Sequence, residues 1–67
     1  MSKEEFWKLF EEKKLKSITV DIRGMFIQYT LNEESGNYET YMGAAKLVFN
    51  PEPEHRGRFE ILDYVRV

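Results

Sequence analysis

The sequence predicts an α+β fold in which an N-terminal amphipathic helix packs on a four-stranded antiparallel meander, in the order α-β-β-β-β, with residues 1–67 as a single small domain. Three observations predict it. The opening segment places apolar side chains at helical spacing, and two alternating runs flank Arg23-Gly24 as a hairpin would. Two further strand-like runs are then set apart by turn and proline segments.

The helix begins the chain. Ser2 is a good N-cap, and Glu5 three residues later completes a capping box. Glu4 and Glu5 suit the positive end of the helix dipole, and Lys13, Lys14 and Lys16 suit its negative end. Phe6, Trp7, Leu9 and Phe10 share one arc of the helical wheel, opposite Glu4, Glu5, Lys8, Glu11 and Glu12. This predicts about three turns ending near Lys14, with Leu15 in the link to the sheet.

A hairpin follows. Ile18, Val20 and Ile22 alternate with Thr19 and Asp21, and Met25, Ile27, Tyr29 and Leu31 form a second apolar set. With Arg23-Gly24 as a two-residue turn, Ile22 faces Met25, Val20 faces Ile27, Ile18 faces Tyr29 and Thr19 faces Gln28. Register and burial then agree. Residues 32–37 read as a turn. A third strand is expected over Tyr38–Phe49, bent in Gly43-Ala44-Ala45, where small residues would make room for the bulky helix face. Its phase is ambiguous, because Tyr38, Thr40 and Met42 favour one face and Leu47 and Phe49 the other. The segment 50–57 holds Pro51 and Pro53 and reads as a loop. The last strand is Phe59–Val67, and Asp63 breaks its alternation. A bulge near Leu62-Asp63, a local ion pair or an anchor for a partner would each account for that residue.

Composition narrows the function classes. A chain of 67 residues buries only about 60% of the surface its unfolded form exposes, so a partner or a second copy is a natural source of further stability. Apolar residues at 42% and aromatic residues at 15% are too plentiful for a disordered chain. There is no cysteine, which removes disulfides, thiolate metal sites and a cysteine nucleophile. No apolar h-region follows Met1-Ser2-Lys3-Glu4-Glu5, and no apolar run is long enough for a membrane span. A cytoplasmic protein without a membrane partner is expected.

Catalysis is not expected. His55 is the only histidine, so Glu52, Glu54 and His55 lack the imidazole or thiolate set that a zinc site uses. Ser17 and Ser35 fall at a strand start and in a turn, ordinary places for serine, and the four glycines stand singly rather than in a phosphate-binding loop. No cofactor and no metal are expected, and the chain reads as a non-enzyme.

Charge is uneven. Residues 33–54 hold five glutamates against one lysine, and Glu33, Glu34 and Glu39 lie beside Tyr38 and Tyr41. An acidic, aromatic surface suits a partner protein with a basic surface. The aromatic content also exceeds what one small core needs, which predicts rings on the second sheet face or at an edge. The expected function is a non-catalytic protein-interaction module, a small regulator or inhibitor of the phage or bacterial type. Its partner-binding residues would be Glu33, Glu34, Tyr38, Glu39, Tyr41, Asp63 and Tyr64. A second reading is a single-stranded nucleic-acid binder using the lysines of 13–16 with Arg56 and Arg58, although a net charge of −2 disfavours it. A third is a self-associating structural protein, a homodimer paired through the last strand.

Overall fold

A computed structural model of the chain describes residues 3–67, so the expected Ser2 cap lies outside the described residues. Helix α1 (Lys3–Glu11) precedes strands β1 (Leu15–Ile22), β2 (Met25–Asn32), β3 (Asn37–Met42), β4 (Ala45–Phe49) and β5 (Glu60–Arg66), with a 3₁₀ helix at Pro53–Arg58. The α+β class and the helix-on-antiparallel-sheet arrangement are as the sequence predicts. The sheet has five strands rather than four, in the order β4-β3-β2-β1-β5.

The amphipathic arc of α1 faces inward, with Phe6, Leu9 and Phe10 buried and Trp7 half-buried. The helix ends earlier than expected because Lys13 adopts a left-handed φ of 58°. Its N–H bonds the Phe10 carbonyl at 3.2 Å and the next N–H, that of Lys14, reaches back to Leu9 at 3.0 Å. This bond pair is a Schellman cap, made here by lysine at the position glycine usually takes. The Lys13 ammonium lies 5.3 Å from the Phe10 ring centre and 5.4 Å from that of Tyr38, a cation–π contact that offsets part of the left-handed strain.

The β1–β2 register matches all four expected pairs. Arg23 (φ 52°) and Gly24 (φ 85°) are both left-handed, as a type I′ turn requires, and the Asp21 carboxylate accepts the Gly24 N–H at 2.8 Å. The expected single strand Tyr38–Phe49 is instead a second hairpin. Gly43 (φ 64°) turns the chain, and Tyr38 pairs with Phe49, Thr40 with Leu47 and Met42 with Ala45. A two-residue turn puts residues three apart on one face, so the two apolar sets that seemed out of phase share a face. Gly43 and Ala44 therefore serve the turn, and exposed Ala45 makes no room for the helix.

After β4 the chain crosses to the opposite edge, where β5 pairs with β1. The crossover is pinned to α1: Arg56 lies 4.9 Å from the Trp7 ring centre and 2.7 Å from the Glu11 carboxylate. Phe49 and Phe59, at its two ends, meet edge to face at 5.2 Å. Two register shifts mark the β1–β5 pair, one leaving Lys16 and the other Leu62 without an opposite residue. The second explains Asp63. It resets the phase, so Tyr64 turns inward against Phe6 at 5.6 Å and Asp63 turns outward opposite Thr19.

The core lies between α1 with the crossover and one sheet face. Phe6, Leu9, Phe10, Leu15, Ile18, Val20, Tyr29, Tyr38 and Phe49 are buried, each contributing roughly 1.5–3 kcal/mol for a large apolar side chain. At the start of β1, the Tyr38 hydroxyl accepts the Leu15 N–H (3.2 Å) and donates to the Leu15 carbonyl (2.9 Å). It thereby satisfies the backbone beside the Lys16 bulge.

Candidate interaction face

The second face of the sheet is open. Register assigns its side chains: Ser17, Thr19 and Asp21 of β1, Phe26, Gln28 and Thr30 of β2, Glu39 and Tyr41 of β3, Lys46 and Val48 of β4, and Glu60, Asp63 and Val65 of β5. All but Glu39 are exposed or half-buried. Large apolar side chains stand among them, with Phe26 at 74% and Tyr41 at 69% exposure and Val48 and Val65 near half. The bulge residue Leu62 is also exposed, as is Val67. Ten aromatic residues occur in the chain. Phe26 and Tyr41 are the ones left outside the core cluster and the residues packed against it.

The electrostatics of this face are acidic. Asp21, Glu39, Glu60 and Asp63 lie on it against Lys46, with Lys16 at the β1 bulge. At one end, Lys16, Thr30, Leu31, Glu33, Val65, Arg66 and Val67 line an open groove of about 530 Å³.

The sequence-predicted residues fare differently. Glu33 and Glu34 sit exposed at the tip of the β2–β3 turn, and Tyr41 projects from the open face. Tyr38 does not: it is fully buried, and burial raises its hydroxyl pKa against a smaller lowering by its bond to Leu15. Glu39 is 8% exposed, and its carboxylate accepts from Asn32 (2.9 Å) and Ser35 (2.9 Å) and pairs with Lys46 (3.1 Å). The Asn32 side-chain hydrogen bond leads the causes that hold its carboxyl below the ordinary glutamate range. Both residues are structural, so the acidic-aromatic patch loses two of its expected members. Tyr64 is half-buried against the helix on the inner face, away from Tyr41. Asp63 is on the open face, accepting the Tyr64 N–H at 2.8 Å.

Phe26 was not among the expected site residues, yet the signal was present: a phenylalanine in the polar phase of β2, between Met25 and Ile27. Val48 and Val65 carry the same mark in their strands, but their phase depends on a turn and a bulge that alternation alone does not reveal.

The basic clusters are partly committed within the molecule. Lys13 lies over two rings, Lys14 pairs with Glu12 at 3.7 Å, and Arg56 is held between Trp7 and Glu11. On the crossover, Glu52, Glu54 and His55 bring donor atoms within 4.8 Å of one another at the surface. Two exposed carboxylates and one imidazole do not make the closed ligand set of a structural zinc site. No helix among the described residues is long and apolar enough to cross a membrane. Comparison with protein-family models, with curated proteins and with solved structures finds no match.

Proposed function

We propose that the protein is a non-catalytic interaction module, a small regulator or inhibitor, that binds a basic surface of another protein through the open face of its sheet. The observation that carries this reading is the pair of exposed rings, Phe26 and Tyr41, on a face where carboxylates outnumber lysines. Exposed aromatic side chains provide the apolar anchors that dominate interface energetics, and the surrounding charge selects a partner of opposite sign. Glu33 and Glu34, on the neighbouring turn, extend the acidic rim. Like charge also weighs against two copies meeting through this face.

The test compares capture from lysate by the wild type and by a Phe26→Ala/Tyr41→Ala variant of equal stability. A protein retained after nuclease treatment, released by salt and lost at least tenfold with the variant supports the reading. Equal recovery by both forms contradicts it. Nuclease-sensitive enrichment would favour the nucleic-acid alternative, in which Lys16 and Arg58 are the cations of the two clusters with neither an ion pair nor a ring contact among the described residues.

A further inference from the structure

We infer that β2 is built to accept an extended, basic segment of the partner as an added strand, along Met25–Gln28 where β3 has turned away. This rests on the open-face reading and specifies how that face engages.

The backbone carries the inference. In a hairpin closed by a two-residue turn, the residues flanking the turn exchange both backbone hydrogen bonds, and bonded and non-bonded pairs alternate from there. Met25, Ile27 and Tyr29 therefore direct their N–H and C=O groups to β1, while Phe26, Gln28 and Thr30 direct theirs to the other side. By the same rule in the β3–β4 hairpin, Glu39 and Tyr41 direct theirs towards β2. Thr30 and Glu39 meet, and β2–β3 pairing runs from there only through Leu31–Tyr38 to Asn32–Asn37. Among the described residues, Phe26 and Gln28 thus present two N–H and two C=O groups to a side with no paired strand.

The true sheet edges are guarded and this stretch is not. β5 carries a bulge at Leu62 with Glu60, Asp63 and Arg66, and β4 is five residues long, bears Lys46 and leads into Pro51. Charges, bulges, short length and proline all discourage strand addition. Met25-Phe26-Ile27-Gln28 has no charge, proline or bulge, and it is flanked by exposed apolar side chains on both faces. Phe26 and Tyr41 stand on the open face, and Met25 (52% exposed) and Met42 (47%) stand on the other.

Charge selects the occupant. A guest strand here would turn alternate side chains to the open face, across Phe26 from Asp21 and on the same face as Glu60 and Asp63 of β5, so lysine or arginine at those positions and apolar residues between them suit the net charge of that face. A second copy fits poorly. It repeats the acidic surplus, and its own Met25–Gln28 stretch lies between its β1 and its β3–β4 hairpin.

The probe is an acetylated, amidated octapeptide of alternating lysine and valine, titrated into the ¹⁵N-labelled full chain. Cross-strand partners share a face, so the lysine residues are the ones that bond Phe26 and Gln28. The expected result is saturable shifts at Phe26, Gln28 and Tyr41, with slowed amide exchange at Phe26 and Gln28. N-methylation of the lysine amides should weaken binding at least tenfold, a control that leaves the protein's own folding untouched. Shifts spread over Thr19, Tyr41 and Val65 with no protection of Phe26 and Gln28 would overturn strand addition and leave the open-face reading standing. No shift with peptide at about 1 mM would overturn strand addition too, while loss of selective capture by the Phe26→Ala/Tyr41→Ala variant tests the open-face reading separately.

Discussion

Tyr38 shows how a residue suited by type to binding is held for structure instead. Its ring stacks on Phe10 at 5.0 Å, and its hydroxyl closes two hydrogen bonds on the Leu15 backbone. Replacing it with phenylalanine keeps the ring but strands a buried N–H and C=O. Tyr38→Phe should therefore cost about 1–3 kcal/mol, seen as a lower urea midpoint with an unchanged m-value. Glu39 is the acidic counterpart. Bonded by Asn32, Lys46 and Ser35, its carboxyl has a lowered pKa in the folded chain, so the unfolded state binds the proton more readily. The stability this linkage contributes is fully present above the ordinary glutamate value and is lost as pH falls through the lowered folded one. Urea midpoints of the wild type should fall more steeply in that acid window than those of Glu39→Gln. Parallel curves would show that the carboxylate has no such role. In sequence both residues read as surface because polarity and neighbours were visible but partners were not: Asn32 and Ser35 lie within seven residues of Glu39, whereas Leu15 is twenty-three from Tyr38.

At the scale of elements, legibility tracked how local the deciding interaction is. The first hairpin was fully readable, register included, because the turn and its two alternating runs lie within about fifteen residues and point to one pairing. The helix arc was readable for the same reason. The second hairpin was hidden in plain view: the phase change between Met42 and Leu47 is the signature of a two-residue turn, but adjoining alanines made Gly43 resemble a bend. The bulges at Lys16 and Leu62 and the crossover from β4 to the β1 edge depend on contacts far apart in sequence. The clamp of Arg56 on Trp7 and Glu11 spans more than forty residues and has no local signal.

On the scale of the whole molecule, the chain solves a coverage problem. One nine-residue helix and a pinned crossover can cover one face of a five-stranded sheet, so the other face stays open. A purely structural role for that face would favour polar side chains throughout, as on β1 with Ser17, Thr19 and Asp21. Phe26, Tyr41, Val48 and Val65 depart from that pattern together, on a face where carboxylates outnumber lysines, and the departure is the basis for proposing that the face meets a partner. The aromatic surplus and the acidic bias were both legible in sequence. Which rings were surplus was not, because that depends on how the second hairpin curls its apolar set onto Phe10 and Tyr29.

The most direct test of this arrangement is residue-resolved amide hydrogen exchange on the protein alone, read along β2. This pairing predicts alternating protection, with Ile27, Tyr29 and Thr30 slow and Phe26 and Gln28 fast, because the first two bond β1, Thr30 bonds Glu39, and the last two face an unpaired side. Slow exchange at Phe26 and Gln28 would mean that β3 continues along β2 to its end, leaving no free stretch of β2 for the proposed added strand.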